Sequence, residues 1–103
     1  MNEVDARGQT PLMLAALRGA FDTVLILLKA GAKLNLKDKE GQTALMFAIQ
    51  SSRPEKLENV RLLLKSGAKV NIKDNEDLTP LELAKKLGEN EIVKLLAEAQ
   101  TRH

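Results

Sequence analysis

An all-α solenoid of three helix-turn-helix units joined by β-turn fingers is the fold class this sequence predicts, and three observations predict it. The stretch Val24–Asp38 recurs as Val60–Asp74, with 10 of 15 positions identical and every pair 36 residues apart. An opening motif recurs in register with it: Gly8-Gln9-Thr10-Pro11-Leu12, then Gly41-Gln42-Thr43-Ala44-Leu45, then Asp77-Leu78-Thr79-Pro80-Leu81. Apolar residues make up 44% of the 103-residue chain but aromatics only 2%, so the core must be built from Leu, Ala, Val and Ile, which suits closely packed helices. Self-similarity at this period marks units that cannot bury their apolar faces alone and have to stack.

Each unit opens on a turn. Asp5-Ala6-Arg7-Gly8 and Asp38-Lys39-Glu40-Gly41 carry Asp first and Gly fourth, the type I preference. Asp74-Asn75-Glu76-Asp77 keeps the turn with Asp in place of Gly, and Asp tolerates unusual backbone angles better than most residues. Threonine before proline then starts a helix: the hydroxyl caps, and proline fits the first helical position. Thr79 and Glu82 have the spacing of a capping box. Each first helix is expected to run about three turns. It stops at Gly19 in unit one and at Gly88 in unit three. Second helices follow around Val24–Leu28, Val60–Leu64 and Ile92–Leu96, the first two ended by Gly31 and Gly67. Lys29 and Lys65 fall in their last turns, where a cation suits the helix dipole.

This order of turn, Gly-x-Thr-Pro-Leu, short helix, Gly, Leu-Leu helix, Gly-Ala and Asn resembles the ankyrin repeat over essentially the whole chain. Repeats are expected at about 5–37, 38–73 and 74–100. Asn2 precedes Asp5 as Asn35 precedes Asp38 and Asn71 precedes Asp74, so the chain is expected to open on the tail of a preceding repeat. Where the family usually has histidine after Thr-Pro-Leu, this chain has Met13, Met46 and Glu82, which replaces a hydrogen-bond network with apolar packing in two units. Unit three ends Leu95-Leu96-Ala97-Glu98-Ala99-Gln100 without Gly-Ala, and with Lys85 this gives the polar outer face that a terminal repeat needs.

Unit two carries an insertion. From the first-helix alanine to the second-helix valine is 9 residues in unit one (Ala15 to Val24) and unit three (Ala84 to Val93), but 12 in unit two (Ala48 to Val60). The extra residues lie within Ser51–Lys56. Ser52 and Glu55 have capping-box spacing with Pro54 just inside, which predicts a longer second helix.

The search for chemistry gives no catalytic residue, metal site or cofactor. There is no cysteine, and the single histidine is the terminal His103. No His pair has ligand spacing and no Gly-rich loop resembles a phosphate cradle. Met13 and Met46 read as core or groove lining. Net charge is +2, from interleaved signs, which does not mark a nucleic-acid binder. Apolar runs such as Val24–Leu28 are far too short for a membrane span, and the N-terminus has no signal-peptide character, so a cytoplasmic protein is expected.

Binding remains. The resemblance implies a concave surface, lined by turn tips and first helices, that takes a protein or peptide partner. The matching positions are Ala6, Arg7, Gln9, Leu17 and Arg18 in unit one, Lys39, Glu40, Gln42, Gln50 and Ser51 in unit two, and Asn75, Glu76, Leu78, Lys86 and Leu87 in unit three. The N-terminal edge is expected to be apolar and to favour self-association, because Leu25 stands where the other units have Arg61 and Lys94, with Phe21 and Leu17 nearby. Two further readings stay open: an engineered or truncated scaffold without a natural partner, and an auxiliary domain of a larger enzyme or regulator. The insertion argues against a consensus design, which would repeat more strictly.

Overall fold

A computed structural model describes residues 2–101, so His103 lies outside the described residues. Six helices follow one another: α1 (Pro11–Leu17), α2 (Phe21–Lys29), α3 (Ala44–Gln50), α4 (Lys56–Lys65), α5 (Pro80–Leu87) and α6 (Asn90–Thr101). No strand is present among the described residues. The first helices form one layer, α1 against α3 against α5, and the second helices form another, α2 beside α4 beside α6. The core lies between the layers and between successive units. The middle first helix shows this most fully: every residue from Ala44 to Ile49 is buried, because it has neighbours on both sides as well as α4 behind it.

The first helices are shorter than the sequence suggests. They contain 7, 7 and 8 residues, about two turns rather than three. In α1 and α5 a glycine at positive φ follows closely, Gly19 at +69° and Gly88 at +73°, and its left-handed backbone turns the chain into the second helix. All three fingers close with the fourth-residue N–H donating to the first carbonyl: Gly8 to Asp5, Gly41 to Asp38 and Asp77 to Asp74, each at 3.0 Å. Asp77 takes φ +65°, the one positive φ outside glycine among the described residues. The third finger thus keeps the turn at some steric cost, as an Asp in a Gly position should.

Capping differs between units for a chemical reason. In unit one Thr10 Oγ1 accepts the Met13 N–H at 3.2 Å, and the buried Met13 thioether sits 3.3 Å from the Thr10 nitrogen as a weak acceptor. In unit two Thr43 makes no capping bond and its buried hydroxyl has no partner. In unit three Glu82 completes a full capping box, accepting from the Thr79 N–H at 3.0 Å and from its hydroxyl at 3.2 Å. These bonds, the backbone one first, hold the Glu82 carboxyl below its ordinary value of 4.5. A depressed carboxyl stabilises the fold above its unfolded value and loses that contribution as pH falls through the folded one. The stability difference between wild type and Glu82→Gln should therefore be constant above about pH 5 and shrink on acidification through and below pH 4.5. A difference that grows on acidification would show that the carboxylate is not the capping species.

The insertion lengthens the second helix at its start by one residue only, since α4 begins at Lys56, four residues before Val60, where α2 begins at Phe21, three before Val24. Ser52 is not a cap; α4 begins at Lys56 after Glu55, with no side-chain cap bond. The buried Ser51 hydroxyl takes the Arg53 N–H at 3.2 Å, and the Arg53 carbonyl takes the Lys56 N–H at 3.1 Å. The helix thus starts three residues later than a Ser52 cap would start it, and most of the added residues form a loop. That loop reaches both neighbours. Arg53 lies over Gly19 so closely that a Cβ there would come within 2.4 Å of the Arg53 Cβ. Lys56 pairs with Glu89 of unit three, the one ion pair among the described residues.

Candidate protein-binding face

The finger tips are tied edge to edge by main-chain hydrogen bonds. The Lys39 N–H donates to the Arg7 carbonyl and the Asn75 N–H to the Glu40 carbonyl, both at 3.0 Å. Asn75 Nδ2 adds a bond to the Lys39 carbonyl at 2.9 Å. Within each finger one aspartate oxygen holds two N–H groups: Asp5 those of Arg7 and Gln9, Asp38 those of Glu40 and Gln42, Asp74 those of Glu76 and Leu78, all at 2.8–3.0 Å. These carboxylates are spent on the backbone, as expected of aspartates in turns. Gly41 makes the lacing possible, because a Cβ there would meet the Asn75 backbone nitrogen at 2.9 Å.

This frame leaves the tip side chains Arg7, Lys39, Glu40 and Glu76 exposed in one row. Gln9, Gln42 and Leu78 are half-buried where each finger meets its helix. Gln50 is drawn to Gln42: its Nε2 donates to Gln42 Oε1 at 3.2 Å and to the Met46 carbonyl at 3.0 Å. Leu17 is 39% exposed with Arg18 exposed beside it, and Lys86 is exposed at the matching point of α5. Ser51 is not brought to this surface. It is 1% exposed, because unit two has no glycine there, leaves α3 in extended conformation and folds the inserted residues over it. Leu87 is 47% exposed next to Lys86, and Asn75 is exposed at its finger tip, where its lacing role shows only once adjacent fingers are in place.

At the N-terminal edge Phe21 and Leu25 are half-buried, and the most exposed apolar side chain is their neighbour Ile26, at 65%. Among the described residues no group of three or more His, Cys, Asp or Glu side chains is arranged to hold a metal ion, and no helix is long and apolar enough to cross a membrane.

Curated relatives match parts of the chain. It is 47% identical over 51 residues to Potassium channel AKT2/3 of Arabidopsis thaliana, covering 50% of this chain and 6% of that protein. It is 52% identical over 50 residues to human Rabankyrin-5, covering 48% and 4%. Human transient receptor potential cation channel subfamily A member 1 is 34% identical over 61 residues, covering 59% and 5%. The chain thus spans a small fraction of the length of these relatives. A family model described as ankyrin repeats in three copies matches residues 1–74 and 39–103. With six paired helices, laced fingers and that match along its length, the chain belongs to the ankyrin-repeat family.

Proposed function

We propose that this chain is a non-catalytic module that holds a folded protein or an extended peptide against the concave side formed by its fingers and first helices. Ankyrin repeats are in general protein–protein interaction modules. The observation that carries the reading is the laced finger row. Main-chain bonds fix the tips of all three units relative to one another, while Arg7, Lys39, Glu40 and Glu76 stay exposed and take part in none of the described ion pairs. A rigid row of unpaired polar groups beside the exposed Leu17 resembles an interface with a small apolar anchor and a polar rim. The molecule extends 30 Å along its longest axis, enough for roughly nine residues of extended peptide. A nucleic-acid partner fits less well, because Glu40, Glu76 and Glu82 interrupt the positive charge and no aromatic is placed for base stacking. The cytoplasm is the setting that goes with this reading, whether the module acts alone or as part of a larger regulator.

With a partner in hand, Leu17→Ala combined with Arg18→Ala should weaken binding by about 1–4 kcal/mol without changing the fold, while Lys65→Ala should leave affinity intact. Titration calorimetry on both variants decides. The reverse pattern would move the site to the second-helix side.

Self-association at the N-terminal edge is a second reading. It has its own observation: Pro11, Leu14, Thr23 and Leu27 line an open groove there, whereas the positions in register with Leu14 and Leu27 are closed in the other units at Phe47 and Leu63. Light scattering over a concentration series should show wild type associating and Leu25→Arg monomeric. Monomers throughout would remove this reading.

A further inference from the structure

In units one and two the chain leaves the second helix through a strip of the same make-up. Lys29, Lys33 and Lys37 stand in the first strip, and Lys65, Lys69 and Lys73 in the second. From first lysine to last, neither strip contains an arginine, a carboxylate or an aromatic. All six lysines are exposed and take part in none of the described ion pairs. The strips lie side by side. Asn35 Oδ1 accepts the Lys69 N–H at 2.8 Å, which sets the Lys69 backbone beside the midpoint between Lys33 and Lys37. Asp38 and Asp74, which follow the strips, are buried and hold N–H groups of their own fingers. Glu3 flanks the first strip, since Asn2 Oδ1 accepts the Lys33 N–H at 2.9 Å, but it forms no ion pair there. Helix dipoles account for Lys29 and Lys65, in the last turns of α2 and α4, but not for the four lysines beyond the helix ends. One turn before Lys29, Ile26 is 65% exposed and shares a helix face with Lys29 and the exposed Ala30.

We propose that this side of the molecule, separate from the finger face, docks on an anionic lipid bilayer, with the lysine strips on the headgroups and Ile26 inserted among them. The composition selects the occupant. Protein interfaces are depleted in lysine and enriched in arginine and aromatics, and the strips have the opposite character. Single-stranded nucleic acid is held by aromatics on which bases stack, and the strips have none. A duplex attracts lysines but offers nothing to Ile26. An anionic leaflet meets both features. Its surface potential attracts lysines without requiring bidentate geometry, each lysine near the surface being worth several-fold in affinity. Its headgroup boundary accepts a single apolar side chain, and lipid binding of this peripheral kind is reversible and needs no spanning helix.

The test is co-sedimentation of the full chain with vesicles of phosphatidylserine and phosphatidylcholine, set against phosphatidylcholine alone. Binding is expected to the mixed vesicles only, and it should weaken as salt rises. Lys33→Glu with Lys69→Glu should lower partitioning more than about tenfold. Arg7→Glu with Lys39→Glu makes the same change of net charge on the finger row and should lower it far less. Ile26→Ser should weaken binding several-fold at low and high salt alike, because its contribution is not electrostatic. Circular dichroism checks that each variant is folded, and Lys33→Gln with Lys69→Gln replaces the charge reversal if that pair is not. No binding by the wild type, equal losses from the two charge reversals, Ile26→Ser bound as tightly as wild type, or tighter binding to duplex DNA than to the mixed vesicles would each overturn the proposal.

Discussion

Leu63→Ala should destabilise the whole array by about 2–5 kcal/mol, the largest loss expected from any single truncation here. Leu63 is fully buried, and α4 packs against α2, α3 and α6, so its side chain serves contacts within unit two and across both unit boundaries. Removing it leaves a cavity that helices pinned on every side cannot easily close. In a stack stabilised by nearest-neighbour interfaces, weakening the middle unit weakens both interfaces together. Urea denaturation should show the midpoint falling in one transition. Leu27→Ala, the same register position in unit one, should cost less, because Leu27 is only partly buried. Lys69→Ala should cost almost nothing, since its exposed side chain is removed while the main-chain bond to Asn35 stays. Equal midpoints for Leu63→Ala and Lys69→Ala would mean that the core has been placed wrongly.

Asn59→Leu should act in the opposite direction and raise stability by about 1–3 kcal/mol. Asn59 is fully buried, and neither its Oδ1 nor its Nδ2 has a hydrogen-bond partner. A buried amide without partners loses its hydration and gains nothing in return. Leucine branches at the same carbon and carries no polar atom. The register position already accepts an aliphatic side chain in unit three, where Ile92 is 2% exposed, whereas in unit one Thr23 stands in solvent. A urea midpoint that rises with unchanged slope meets this expectation. A midpoint that falls would show that the site is too tight for the larger side chain.

The fold could be read from the sequence because its determinants are local and repeated. Thr-Pro marks a helix start, glycine at a fixed offset marks its end, and Asp-x-x-Gly marks the finger, each by short-range chemistry that needs no knowledge of neighbours. The readings that shifted depend on neighbours. First-helix length is set by where Gly19 and Gly88 turn the chain toward the second layer. The Ser52 capping pattern was locally sound, but the buried Ser51 hydroxyl captured the Arg53 N–H and moved the helix start to Lys56. The candidate face was legible position by position through register with the repeat, and its exposed members are those at finger tips and helix rims. Ser51 was misplaced for the same reason as the helix start. The lacing bond of Asn75 could not be read from one unit, because it is made to the adjoining finger.

The looped insertion says something about how such a chain can change over generations. Three added residues shift every later position by nearly one helical turn in a residue-by-residue comparison. In space nothing downstream moves out of register: α4 still packs beside α2, and α5 still packs on α3. The rim between first and second helices therefore acts as an expansion joint, where lineages can gain or lose residues without renegotiating the interfaces on either side. In this chain the joint has also acquired contacts, Arg53 over Gly19 and Lys56 with Glu89, that span all three units. A change at Gly19 or at Glu89 is therefore also a change to what holds this joint in place.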